Sequence, residues 1–168
     1  ASVLAKWSAF SGVPEDRQEA AASFALATYS AYNKYSHDGV GVNYVGIGYV
    51  IPWFTDSYFD YIPHLLSGMS VLPEMAPANE DHIIGSDSVV QNVCYRPSHI
   101  EYTTFEPCGN ETLRIVFTPE TVFAEGKPLP NTAWSFNGLQ GVSGVLQIHR
   151  DASRHVIITA KNSPDGLK

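Results

Sequence analysis

Residues 88–118, SVVQNVCYRPSHIEYTTFEPCGNETLRIVFT, decide the fold. Ile100, Tyr102 and Thr104 alternate with His99, Glu101 and Thr103, and Leu113, Ile115 and Phe117 alternate with Arg114 and Val116. Successive side chains of a strand point to opposite faces, so a period of two predicts half-buried strands over 88–95, 98–105 and 111–118. Arg96-Pro97 makes the first turn and Pro107 to Asn110 the second.

The pattern continues downstream. Residues 121–124 and 133–136 read as short strands around a turn at Gly126 to Pro130. Residues 145–150 and 154–160 read as a hairpin with Asp151-Ala152-Ser153 at its tip. Short strands at this spacing predict an antiparallel β-sandwich of about seven strands.

Upstream the chemistry changes. Residues 1–80 are rich in Ala, Tyr and Gly. Pro14, Glu15 and Asp16 suit the first turn of a helix, and Ala20, Phe24, Ala27, Ala31 and Tyr35 recur at helical spacing, which predicts a helix over 14–35. No charge occurs from Ala20 to Asn33, so this helix is expected to be enclosed on more than one side. Residues 55–72 read as a second helix, with a kink or a restart at Pro63. Residues 73–82, PEMAPANEDH, read as a linker. The fold class is therefore α+β: a helical segment over 1–80, then an antiparallel sandwich over 81–168.

Composition narrows the function. The chain has 168 residues and a net charge of −7, without any Lys/Arg cluster, which disfavours nucleic acid as a partner. The longest uncharged run, Gly39 to Thr55, is short for a membrane span and broken by four glycines and a proline. The glycines there do not form GxGxxG, because Tyr44 takes the third place. The chain starts at Ala1 without a signal-peptide pattern and reads as processed or excised. Cys94 and Cys108 stand just before an acceptor sequon, Asn110-Glu111-Thr112. Together these predict an extracellular chain with a Cys94–Cys108 bridge and a glycan on Asn110.

Few constellations carry chemistry. Asp56, Asp60 and His64 fall at i, i+4 and i+8, so a continuous helix would place two carboxylates and an imidazole on one face. Capping and solvation explain Asp56 and Asp60 without chemistry, and Pro63 weakens the shared face. Glu74, Glu80 and Asp81 add carboxylates near the linker, and paired carboxylates are what glycoside hydrolysis uses. The weak catalytic candidates are therefore Asp56, Asp60 and Glu74. His149 and His155 flank the last hairpin and would face each other across a three-residue loop, a weak metal pair. HExxH, CxxC and GxSxG are absent, and no cofactor is expected. The densest aromatic cluster makes Trp53, Tyr58 and Tyr49 candidates for stacking on sugar rings, against the alternative of a packed core.

The run Pro52-Trp53-Phe54-Thr55-Asp56, Asp60-Tyr61-Ile62-Pro63-His64, Gly68-Met69 and Leu72-Pro73-Glu74 resembles the last toroid helices of secreted six-hairpin glycosidase-like proteins. Glu80-Asp81-His82, Ser88-Val89-Val90, Ile100 to Phe105 and Leu113-Arg114 are similar to the β-sandwich that follows the toroid there. The resemblance covers roughly residues 14–160. It implies that this chain is the C-terminal piece of such a protein, or a reduced relative, with the catalytic cleft missing or built with another chain. No catalytic residue carries over. Three functions follow as expectations. The first is a non-catalytic secreted module that binds glycan or supports a partner chain. The second is an extracellular structural subunit that assembles with itself. The third is a stand-alone glycoside hydrolase.

Overall fold

The computed structural model describes residues 1–34, 58–139 and 141–160, with the side chains of residues 30–34 and 58–61 left aside. The chain divides into two compact units, Ala1–Met75 and Ala76–Lys168.

The first unit is helical. Helix α1 spans Ser2–Ser11, which the sequence reading did not anticipate, and α2 spans Pro14–Lys34. Gly12 ends α1 in the left-handed conformation, φ 67°, and returns its N–H to the Ser8 carbonyl. Pro14 opens α2, with Glu15 and Asp16 in the first turn as expected. Small residues set the packing distance: Ala5 and Ala20 are buried beside Leu72. Helix α3 spans Tyr58–Met69 and runs through Pro63 without ending there, giving up one backbone bond. Gly68 is required, because a Cβ there would collide with the buried Phe24 ring of α2. A 3-10 turn over Pro73–Met75 follows.

The second unit is the sandwich, with nine strands among the described residues. They are β1 (His82–Ser86), β2 (Val90–Arg96), β3 (His99–Thr104), β4 (Gly109–Ile115), β5 (Pro119–Ala124), β6 (Lys127–Pro128), β7 (Trp134–Gly138), β8 (Gly144–Arg150) and β9 (His155–Ala160). One antiparallel sheet has the order β1-β4-β8-β7 and the other β2-β3-β9-β5-β6. Ile100, Tyr102, Leu113, Ile115, Val122, Leu146, Ile148, Val156 and Ile158 form the core between them. Ile100, Tyr102, Leu113 and Ile115 are among the alternating positions read from the sequence. Strand β1 escaped that reading because a bulge between Ile83 and Gly85 breaks its period.

Two expectations are corrected. First, β8 and β9 are not a hairpin. Strand β8 pairs with β4 and β7, whereas β9 pairs with β3 and β5. The connecting residues cross from one sheet to the other because their backbone is used on the far side. Ser153 donates its N–H to the Pro107 carbonyl at 2.7 Å, and the Arg154 carbonyl accepts from Thr104 at 2.9 Å. Second, Cys94 and Cys108 are separate thiols. Cys94 pairs with Glu101, while Cys108 lies beyond the end of β3 at Thr104. Three residues of strand rise already separate them by roughly 10 Å along the sheet, and a disulfide needs Cα atoms within about 7 Å.

Candidate functional site

The exposed face of β4, β8 and β7 carries a cleft of about 370 Å3. Register builds it. Thr112 lies opposite Gln147, which lies opposite Ser135, and Asn110 lies opposite His149. Asn110, Thr112, Ser135, Gln147 and His149 line the cleft together with Thr132. They are hydrogen-bonding side chains placed on one face by the two-residue period.

A hydrogen-bonded row fixes one side. Asn110 Nδ2 donates to Asp87 Oδ2 at 2.6 Å, and the Asn110 backbone N–H reaches the same oxygen at 3.2 Å. The Asn110 amide orientation follows, so Oδ1 is the acceptor for His149 Nδ1 at 2.8 Å. His149 Nε2 lies 2.9 Å from Asp151 Oδ1. Both imidazole nitrogens thus face the oxygens of a polar chain that runs Asp87, Asn110, His149, Asp151.

Glu111 contributes to the cleft floor, but its carboxylate points the other way, into the sandwich. Arg150 Nη2 meets Oε1 at 2.5 Å and Nε meets Oε2 at 2.7 Å. Tyr102 donates its hydroxyl to Oε2 at 3.1 Å, and Ser86 Oγ reaches Oε1 at 3.4 Å. Arg150 Nη1 donates to the carbonyls of Glu106 and Ser153. Burial, then the Glu111 charge beside it, pushes the Tyr102 phenol far above its usual range. The hydrogen bonds that Arg150 donates to Glu111 push its guanidinium above the usual range. This carboxylate is saturated and turned away from solvent, so it serves structure and not acid-base chemistry.

The face of the other sheet carries a second polar group. Glu101 Oε1 accepts from His155 Nε2 at 2.8 Å, and His99 Nε2 stands 3.8 Å from Oε2. The His155 hydrogen bond holds the Glu101 carboxyl below its usual range. Among the described residues, no group of three or more His, Cys, Asp or Glu side chains is arranged to hold a metal ion.

The sequence candidates fall as follows. His149 and His155 lie in different sheets, on Asn110 and Glu101 respectively, so these weak metal candidates do not face each other. Glu74 is engaged by Arg17 Nη2 at 2.7 Å and 2.9 Å, an ion pair within the helical unit. Asp60 and Tyr58 lie in α3, where their side chains are left aside, and Asp56, Trp53 and Tyr49 lie outside the described residues. Asn110 is exposed and lines the cleft. The sequence reading missed Thr112, Ser135 and Gln147 as a lining set. Its signal was present in the polar halves of three alternating strands.

The chain matches no family model, and neither the curated proteins nor the solved structures contain a match to it.

Proposed function

We propose that this chain is a non-catalytic module of a secreted carbohydrate-active protein, binding a neutral glycan in the cleft on β4, β8 and β7. The observation that carries this reading is the lining. Amide, hydroxyl and imidazole groups project from one sheet face, while the one carboxylate among the described lining residues is locked inward by Arg150. Sugar hydroxyls both donate and accept, and side-chain amides match that pattern without requiring a charged ligand. A pair of solvent-facing carboxylates, which hydrolysis of a glycosidic bond uses, is not part of the described lining. The resemblance to the sandwich of six-hairpin glycosidase-like proteins supports the same reading.

Calorimetric titration of the chain bearing no glycan with a panel of neutral oligosaccharides tests it. Saturable binding is expected, weakened several-fold by Gln147→Ala, in line with the loss of a neutral hydrogen bond of about 0.5–1.5 kcal/mol. Binding that is unaltered by Gln147→Ala and His149→Ala, or absent across the panel, would refute the cleft as the site.

A second reading, self-assembly through the helical unit, is favoured by one observation. Val3, Trp7 and Phe10 recur at i, i+4 and i+7 on α1 and leave an apolar row in solvent, with Phe10 83% exposed. The Trp7 and Phe10 rings lie 5.7 Å apart and form a continuous patch. Light scattering of the intact chain tests it. An oligomer that dissociates on Phe10→Lys supports assembly, and a monomer at high concentration opposes it.

A further inference from the structure

We propose that the cleft is the seat of the chain's own N-glycan: a glycan on Asn110 folds its first two sugars across Thr112, Gln147 and Ser135, and so closes the cleft to free ligand. The regulatory half of this inference rests on the glycan-binding reading above. The cradling half does not.

Three observations lead here. Asn110 is the acceptor of Asn110-Glu111-Thr112, and it is also a lining residue of the cleft. Asn110 is an exposed residue. Its hydrogen bonds survive the modification. Nδ2 carries two hydrogens and glycosylation replaces one. The remaining N–H still serves the Asp87 bond, and Oδ1 still accepts from His149. The bridge from Asp87 to His149 therefore becomes a mount that holds the glycan stem at the cleft.

The neighbouring groups suit the sugar. Residues directly opposite on paired strands have Cβ atoms about 4.5–5.5 Å apart, so Thr112, Gln147 and Ser135 form a polar row one step from Asn110. The cleft volume, about 370 Å3, lies in the range of small-molecule sites. Because Asn110 sits in β4, paired on both sides, the sugar is added before the strand docks. The step joins Nδ2 to the anomeric carbon of an oligosaccharide carried on a lipid diphosphate. The diphosphate leaves with the electron pair of the broken C–O bond, and the amide gives up one proton.

The experiment compares the same intact chain made in a bacterial host, where Asn110 stays bare, with the chain secreted from a eukaryotic host. N,N′-diacetylchitobiose, the core disaccharide of such a glycan, is the probe. The bare chain is expected to bind it, and the glycosylated chain at least tenfold more weakly. The attached glycan is expected to resist endoglycosidase in the folded chain, to yield in the unfolded one, and to become susceptible in folded Gln147→Ala. An Asn110 left unoccupied in the secreted chain overturns the inference. So does a glycan cut equally fast in the folded and unfolded states. If the bare chain binds neither the disaccharide nor any member of the panel, the ligand-binding reading and the regulatory half fall together. The endoglycosidase comparison still decides the cradle on its own.

Discussion

Arg150 grips both carboxylate oxygens of Glu111, at 2.5 Å and 2.7 Å, and both side chains are 0% exposed. The pair spans β4 and β8 diagonally, since Arg150 lies opposite Gly109, two residues before Glu111, and it ties the end of β8 to the carbonyls of Glu106 and Ser153. A buried pair costs desolvation, which good geometry offsets, so its net contribution is small although breaking it is expensive. Arg150→Met alone is expected to destabilise the sandwich unit by about 3–5 kcal/mol, because it strands the Glu111 charge. Glu111→Leu with Arg150→Met is expected to recover most of that loss. Urea unfolding of the single and double variants checks this, and a double variant no better than the single one would contradict it.

This pair also marks how much of the molecule was legible in the sequence. Alternation in 98–118 placed Ile100, Tyr102, Leu113 and Ile115 in the core, where they lie. The same parity puts Glu111 with Leu113 and Ile115, and Arg150 with Leu146 and Ile148, so their inward direction was written in the period. Charge concealed it, since a lone Glu or Arg usually points to water. The sheet assignment of β8 and β9 was less accessible. A four-residue connection can close a hairpin or cross between sheets, and here distant backbone partners at Pro107 and Thr104 decide. The cleft escaped notice because its members come from β4, β7 and β8, and only pairing brings them together.

Two glycines of the sandwich are required for different reasons. At Gly144 a Cβ would meet the Asn137 carbonyl and the Phe136 ring, and backbone cannot step aside. At Gly126 the space is open, and the demand is conformational, φ 72°. Gly144→Ala is expected to cost about 1–3 kcal/mol through overpacking. Gly126→Ala is expected to cost about 1–2 kcal/mol, from the left-handed backbone alone. Adding Phe136→Leu separates them. It is expected to relieve the part of the Gly144→Ala cost that comes from the Phe136 ring, leaving the part from the Asn137 carbonyl, and to leave the Gly126→Ala cost unchanged. Thermal unfolding of the four variants reads this out.

The β5–β6 turn carries a pH signature. Glu125 Oε1 accepts from the Arg154 N–H at 2.9 Å and the His155 N–H at 3.1 Å, and these bonds hold its carboxyl below the ordinary 4.5. Glu106 is held low by the Ser88 hydroxyl, and Glu101 by His155. A depressed folded value means that the unfolded chain takes up the proton first. These groups therefore contribute stability above the unfolded value and lose it as pH falls through the folded one. Asp81 has the opposite sign. Burial raises its carboxyl, so its ionisation opposes folding as pH rises through that value, despite the bond it accepts from Val116 at 2.8 Å. The melting temperature is expected to fall on acidification below about pH 4.5, the ordinary glutamate value. Glu125→Gln, which keeps an acceptor oxygen and removes the charge, is expected to flatten that limb. An acid limb unchanged in Glu125→Gln would remove Glu125 from the account.

The two thiols report on the β2–β3 register. Cys94 sits within β2, half-buried and opposite Glu101, while Cys108 is exposed in the turn after β3. Thiol reactivity follows exposure and thiolate fraction. The folded chain is expected to take up two equivalents of iodoacetamide without prior reduction, at Cys108 first and at Cys94 more slowly, with peptide mapping to assign each. Denaturant is expected to equalise the two rates. Absence of labelling until a reductant is added would establish the bridge. It would require β2 to slide along β3, because the register pairing Cys94 with Glu101 keeps the two sulfurs apart. A slide by an odd number of residues would also turn Val93, which packs against the core, out to solvent. The labelling pattern therefore tests the pairing of the whole hairpin along with the state of two sulfurs.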